Sequence, residues 1–322
     1  MRGFEYASAA GLADVGELLN DDGVRVLAGG TDLLPLMKAD VVQPTRLVDV
    51  KRVSELASGI VETADGVSIG ALTSLSAIEA HAGLAEKYSA LVEAVSLAAT
   101  PQLRNMATLG GNLLQRPRCW YFRSPAFHCW LKGGEECQAR EGENQLHAIF
   151  DVSPCVAVHP SDAPAALIAL DAAVDLRRGD EARTVPLAAF FAVPRDDSRT
   201  ENVLRPDELV VSVRLPSSAG LRSTYRKAMN RKVWAFALAG VAACVRMESD
   251  RVSFARIVLN GVAPVPWRVQ AAEQELLGSL LDEAVIDRAA DAALADARPL
   301  ANNGYKVQLT RGLIKQALRA LR

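Results

Sequence analysis

Val24-Arg25-Val26-Leu27-Ala28-Gly29-Gly30-Thr31-Asp32-Leu33-Leu34 decides how the first part of the chain folds. Val24–Leu27 is a short, mainly apolar run of the kind found in a buried strand. It ends at Gly29-Gly30, and Thr31-Asp32 then opens a helical turn over Leu33 to Lys38. The order strand, tight glycine turn, helix start has a physical use. Glycines let the backbone approach a phosphate, their exposed N–H groups donate, and a helix start favours negative charge. Ala107-Thr108-Leu109-Gly110-Gly111-Asn112-Leu113 offers a second turn of the same kind. Either one alone carries no more than a turn. Neither is a G-x-G-x-x-G fingerprint, and no Lys-Ser or Lys-Thr follows as in a P-loop. A nucleotide bound here would sit in a different fold.

Outward from that stretch the pattern is mixed. Ala7 to Leu19 has helical spacing of Leu12, Val15 and Leu18-Leu19. Leu47–Val50 and Gly66 to Ala71 read as strands, and Ser74 to His81 as a helix capped by Thr73 or Ser74. Leu91 to Ala99 reads as an apolar helix closed by Thr100-Pro101, Ala163–Leu176 as helix then strand, and Leu209–Leu215 as a strand. Beyond Ser223, Tyr225–Lys227, Ala235–Met247 and Val252–Val262 read as strands of an antiparallel sheet. Val269–Leu281, Glu283–Ala297 and Val307–Leu321 read as amphipathic helices. The first fifty residues thus read as α/β, and the region from near Ser223 as a small α+β domain.

The 322 residues are half hydrophobic and carry a formal net charge of −2. No basic cluster recommends nucleic acid as a partner, and no apolar stretch is long enough for a membrane span. Met1 to Ala10 has Arg2 and Glu5 but no apolar run, so no signal peptide is expected and the chain is expected in the cytoplasm.

Gln115 to Val156 has no clean period and is rich in Arg, Cys, Gly and aromatic residues. A long irregular stretch inside a compact domain usually has a function. Cys119, Cys129, Cys137 and Cys155 follow the spacing C-x9-C-x7-C-x17-C. Soft thiolates gathered this way suit an iron–sulfur cluster or zinc, but the close Cys pair of structural zinc sites is missing. Arg116, Arg118, Arg123, Lys132 and Arg140 would offset the charge of such a cluster. His128, His147 and His159 are expected to be structural or to orient the ligands. Cys244, in an apolar run, reads as core packing.

These residues resemble a known family. Ala28 to Lys38 is similar to the first FAD pyrophosphate loop of the flavin subunits of the xanthine dehydrogenase family, and Ala107 to Leu113 to the second. His159-Pro160-Ser161-Asp162 is similar to the family's Ser-Asp pair, and Tyr225-Arg226-Lys227 with Ala235–Ala243 to the start of its C-terminal domain. The cysteine insert, 115–156, resembles that of bacterial aldehyde oxidoreductase and 4-hydroxybenzoyl-CoA reductase flavin subunits, which hold a [4Fe-4S] cluster there.

The resemblance implies a vanillyl-alcohol-oxidase-type FAD-binding fold of two subdomains with a small C-terminal α+β domain. It implies FAD held by Val26, Leu27, Ala28, Gly29, Gly30, Thr31, Asp32, Leu33, Thr108, Gly111, Asn112 and Asp162, with Lys227 and Tyr225 near the flavin. Cys119, Cys129, Cys137 and Cys155 would ligate the cluster. A large partner would carry the molybdenum cofactor, and a small one two [2Fe-2S] clusters. The role would be that of an electron relay in an aldehyde oxidoreductase. An aryl-CoA reductase or xanthine dehydrogenase-like enzyme would use the same centres. A stand-alone flavin oxidase and a zinc-binding scaffold are the competing classes. Export to the periplasm would require a partner that bears a signal.

Overall fold

The computed structural model describes residues 1–322 except Asn20, Asp22 and Ala57. Three sheets organise it. The first is parallel, with Arg46–Asp49 between Glu5–Ser8 and Val24–Leu27. Helix Leu12–Leu18 covers it, and Leu12, Val15, Val24, Val48 and Val50 form its small core. Parallel strands need a covering crossover, and Leu12–Leu18 supplies it between the two outer strands.

The second sheet is antiparallel, in the order Ile60–Thr63, Gly66–Gly70, Leu209–Pro216, Ala173–Arg178, Glu181–Pro186. Helices Leu75–Ala80, Ser89–Ser96 and Ala163–Ala169 share its core. Leu209–Pro216 returns to this sheet only after the whole cysteine insert has been threaded.

The third sheet holds Trp267–Arg268, Arg251–Asn260, Ala239–Glu248 and Leu221–Ala228, all antiparallel. Residues 239–245 are all buried because both faces are covered. Ala242 and Cys244 pack on the core of the second sheet, whereas Val241, Ala243 and Val245 face helices Gln270–Leu276, Glu283–Ala292 and Tyr305–Arg319. A strand buried on both faces reads as an unbroken apolar run rather than an alternating one. The expected mixture of α+β subdomains followed by a small α+β unit is the architecture present. The bounds of several expected elements are shifted, and the expected helices Val269–Leu281 and Glu283–Ala297 end early, at Leu276 and Ala292. Ala7 and Ser8 belong to strand Glu5–Ser8 rather than to a helix, and the strand expected from Ala235 starts at Ala239. Among the described residues no helix is long and apolar enough to cross a membrane.

Candidate functional site: two glycine loops, a cysteine insert and an interdomain carboxylate

The two glycine loops touch. A Cβ on Gly29 would lie 1.9 Å from the Met106 carbonyl oxygen, so only glycine allows the first loop to reach the second. Gly30 has φ +70°, the left-handed region that glycine adopts freely. Among the described residues, the N–H groups of Gly29, Gly30, Thr31 and Asp32 have no backbone acceptor. Val26 and Leu27 pair with Val48 and Asp49 in the parallel sheet, and Val26 and Ala28 also pack on its core. Leu33 opens the helix Leu33–Lys38.

In the second loop, Thr108 caps the turn Leu109–Leu113 by accepting from the Gly111 N–H at 3.2 Å. Gly110 presses on Ala71, to whose carbonyl its N–H donates at 2.9 Å. Gly111 differs, for a Cβ there would meet only Thr108 Oγ1 within 4 Å. Asn112 is buried and its Oδ1 has no partner among the described residues, while its carbonyl accepts from the Ser161 hydroxyl. A buried amide oxygen without a donor calls for a ligand or water. Unclaimed amides at Gly29 to Asp32 and an orphaned acceptor at Asn112, among the described residues, together fit an anionic, hydrogen-bonding cofactor such as FAD.

Three expected residues take other partners. Asp32 does not cap its helix. Its carboxylate accepts from the Arg116 N–H at 2.9 Å and from Arg123 Nη2 at 2.7 Å, and it pairs with Arg118 Nη2 at 2.8 Å. Asp162, expected to accept from a nucleotide or flavin group, is occupied by protein donors. Tyr225 Oη at 2.7 Å and Asn260 Nδ2 at 2.9 Å reach one oxygen, and Lys227 Nζ at 2.7 Å reaches the other. Lys227 also donates to the Leu97 carbonyl at 3.0 Å. Gly240 makes the room: a Cβ there would lie 2.4 Å from Tyr225 Oη. Burial, then the neighbouring Asp162 charge, pushes the Tyr225 phenol well above its ordinary range.

The insert is part-buried, with Cys129, Trp130, Leu131 and His147–Phe150 inside and Pro125–His128 exposed. It forms the short helix Trp120–Arg123 and a 3-10 turn, Trp130–Lys132. Arg199 holds that turn from outside by donating to the carbonyls of Trp130 at 2.6 Å and Gly134 at 2.7 Å. All four thiols are brought together. Cys129 and Cys155 share one apolar cluster, against which Cys119 and Cys137 pack. Neighbouring backbone amides favour the thiolate at each sulfur: those of Tyr121 and Phe122 at Cys119, Leu131 and Lys132 at Cys129, Val156 and Ala139 at Cys137, and Ala157 at Cys155. Such donors stabilise thiolate charge.

Without a metal, burial pushes Cys119 up to about 12 and also raises Cys129. Cys137 and Cys155 act on each other, which lowers Cys137 to about 6 and raises Cys155 well above the usual range. Among the described residues, no three Cys, His, Asp or Glu side chains close tightly enough around a point for a single ion. Of the five nearby cations, Arg140 and Lys132 act on thiols, while Arg118 and Arg123 serve Asp32 and Arg116 serves Glu201. His147 Nε2 lies 3.2 Å from Cys119 Sγ. His159, by contrast, accepts from the Ser161 N–H and packs edge-on to Phe191. Burial pushes both imidazoles down to about 4.

The C-terminal unit supplies site residues with no local sequence signal. Lys306 Nζ donates to the carbonyls of Leu146 at 3.3 Å, His147 at 2.8 Å and Gly261 at 2.5 Å. Asn303 Nδ2 donates to the carbonyls of His147 and Ala148, and the Asn302 N–H to Asn144 Oδ1.

Known proteins share this arrangement. The family described as FAD binding domain in molybdopterin dehydrogenase matches residues 2–218, and CO dehydrogenase flavoprotein C-terminal domain matches residues 223–321. The chain is 38% identical over 299 residues to the aldehyde oxidoreductase FAD-binding subunit PaoB of Escherichia coli K12, covering 92% of this chain and 91% of that protein. It is 30% identical over 325 residues to the carbon monoxide dehydrogenase medium chain of Hydrogenophaga pseudoflava, covering 98% and 96%. A solved carbon monoxide dehydrogenase from Hydrogenophaga pseudoflava, lacking the Mo-pyranopterin moiety of its cofactor, has a chain that matches with TM-score 0.79 at 30% identity, covering 99% of this chain and 97% of that one. With its paired glycine loops and its C-terminal unit, the chain belongs to the FAD-binding medium-subunit family of the xanthine dehydrogenase and carbon monoxide dehydrogenase type, oxidoreductase subunits of the molybdenum hydroxylases.

Proposed function

We propose that this chain is the electron-relay subunit of a molybdenum-containing aldehyde oxidoreductase. Residues 1–220 would hold FAD, residues 115–156 a [4Fe-4S] cluster, and residues 221–322 would brace both. A large subunit would carry the molybdenum cofactor and a small one two [2Fe-2S] clusters. The name of the Escherichia coli relative favours the aldehyde over other substrates.

One observation carries the reading of this chain's own role. Four unclaimed amides at Gly29 to Asp32 lie beside a second loop with an orphaned acceptor at Asn112. Those amides would receive the pyrophosphate, with Thr108, Gly111 and Asn112 completing the cradle. When bound, FAD and an iron–sulfur cluster supply the redox chemistry, and the protein supplies position and electrostatics. The gathering of four cysteines, with backbone amides that favour thiolate charge at each, supports a thiolate-ligated cluster. The missing close Cys pair of structural zinc sites favours a larger group than zinc. Asp162 and Lys227 would act on the cofactor site through the domain interface.

The test is anaerobic purification of the chain alone and with its partners, followed by flavin, iron and sulfide analysis. One FAD and about four irons per chain are expected, with the iron lost in Cys129→Ser. FAD with zinc and no iron would sink the cluster assignment, and absence of flavin from folded chain would sink the relay. The assembled complex should oxidise aromatic aldehydes and leave an aryl-CoA thioester unreduced. The reverse would reassign it as an aryl-CoA reductase.

A further inference from the structure

We infer that His147 is a positioning residue for the cluster, its Nε2–H donating to the Cys119 sulfur and raising the cluster's reduction potential. This rests on the [4Fe-4S] reading above. Several observations converge on it. Nε2 lies 3.2 Å from Cys119 Sγ, within reach of a hydrogen bond to sulfur. The residue is 2% exposed, so no water competes. Nδ1 is buried and has no partner, leaving Sγ as the contact that orients the ring. Trp120 packs against the ring edge to face at 5.1 Å. From the C-terminal unit, Asn303 and Lys306 hold the His147 carbonyl.

A metal-bound thiolate has no proton to give, so the contact to it must be N–H donating to sulfur. Among the described residues no imidazole lies within hydrogen-bond reach of the other three sulfurs. Cys119 is thus the one cluster thiol with a side-chain imidazole donor among the described residues. A donor to a ligating sulfur favours the more negative, reduced state, and hydrogen bonds to sulfur are among the means by which cluster potentials are set.

The test uses the full chain, prepared anaerobically, with His147→Phe and His147→Gln variants. Phe fills the space without a donor, and Gln restores an N–H. His147→Phe should keep its flavin and about four irons per chain. Its reduction equilibrium should move about tenfold toward the oxidised form, a shift of about 59 mV for one electron. His147→Gln should recover most of that shift. Phe with iron intact and an unchanged potential overturns the inference. Iron lost in both variants, with fold and flavin retained, makes His147 a ligand and overturns it also. A wild-type chain without iron overturns the cluster reading itself, which iron analysis distinguishes. Wild-type chain labelled with 15N-histidine guards against misfolded variants. The reduced cluster should show a weak ring-nitrogen coupling by pulsed electron paramagnetic resonance, and none, or a strong ligand-type coupling, counts against a donor.

Discussion

Asp32 of the first glycine loop and Arg123 of the cysteine insert are joined at 2.7 Å, with Asp32 only 15% exposed in its side chain. Arg118 and the Arg116 amide complete the grip. The loop that would hold the pyrophosphate is therefore pinned to the segment that would hold the cluster. Asp32→Ala leaves two partly buried guanidiniums without their anion, and hydrogen bonds to charged groups each contribute roughly 1.5–3 kcal/mol. FAD titrations of apo-chain should show affinity weakened about tenfold or more, and the insert should be cut more readily by protease. Native flavin affinity in this variant would show that the loop holds its shape unaided.

Gly29 and Gly111 should respond differently to the same added methyl group. In Gly29→Ala the Cβ meets the Met106 carbonyl oxygen at 1.9 Å, and the backbone must move. Overpacking of this kind costs about 1–3 kcal/mol, so both thermal stability and flavin content should fall. In Gly111→Ala the methyl finds only Thr108 Oγ1 within 4 Å. That contact, at 3.0 Å, is with a side-chain hydroxyl rather than backbone, so the melting temperature of the flavin-free chain should fall less than in Gly29→Ala while flavin content drops, because the methyl occupies the cradle. A Gly111→Ala chain that retains full flavin would place the cofactor elsewhere.

The two glycine loops were legible because a Gly-Gly turn between strand and helix is a local signal. The central strands and the C-terminal helices were legible from apolar runs and helical spacing for the same reason. Strands Glu5–Ser8, Ile60–Thr63 and Glu181–Pro186 were not, because each is a largely exposed sheet edge. An edge strand in water shows little apolar pattern to read. The roles of Asp32 and Asp162 were also hidden. Their partners lie from 63 to 98 positions away for Asp162, and from 84 to 91 for Asp32. Only the folded chain shows that their oxygens are already taken. Lys306 and Asn303 had no sequence signal, since an amphipathic helix start does not announce that it clamps a loop some 155–160 residues earlier.

Asp162 and Lys227 form a buried ion pair, with side chains 4% and 1% exposed, where the second and third sheets meet. Removing one partner strands a charge in the interior and costs about 3–5 kcal/mol. Asp162→Asn and Lys227→Met should each lower the unfolding free energy by that order. The double variant should be less destabilised than the sum of the two, because no lone charge remains. Denaturant unfolding of the four proteins checks this. Strict additivity would mean that the pair contributes no coupling, and a large flavin loss at unchanged stability would return Asp162 to the cofactor itself.

Lys306 allows a pH test of how the C-terminal helix clamps the insert. It is fully buried with no carboxylate partner, and burial pushes its ammonium down to about 7 from 10.5. The unfolded chain keeps this lysine protonated up to its ordinary value, so between about 7 and 10.5 the unfolded state binds more protons than the folded one. Stability therefore rises with pH across that window. It is fully gained above the unfolded value and lost as pH falls through the folded one. The three carbonyls around Nζ work the other way, since each accepts a proton that the ammonium alone can supply in full. Urea unfolding of wild type and Lys306→Met from pH 6 to 10 decides between them. The difference between the two proteins should grow in favour of wild type as pH rises. A flat difference would mean that the carbonyls keep Lys306 charged, making the clamp a permanent buried cation rather than one that sheds its proton on folding.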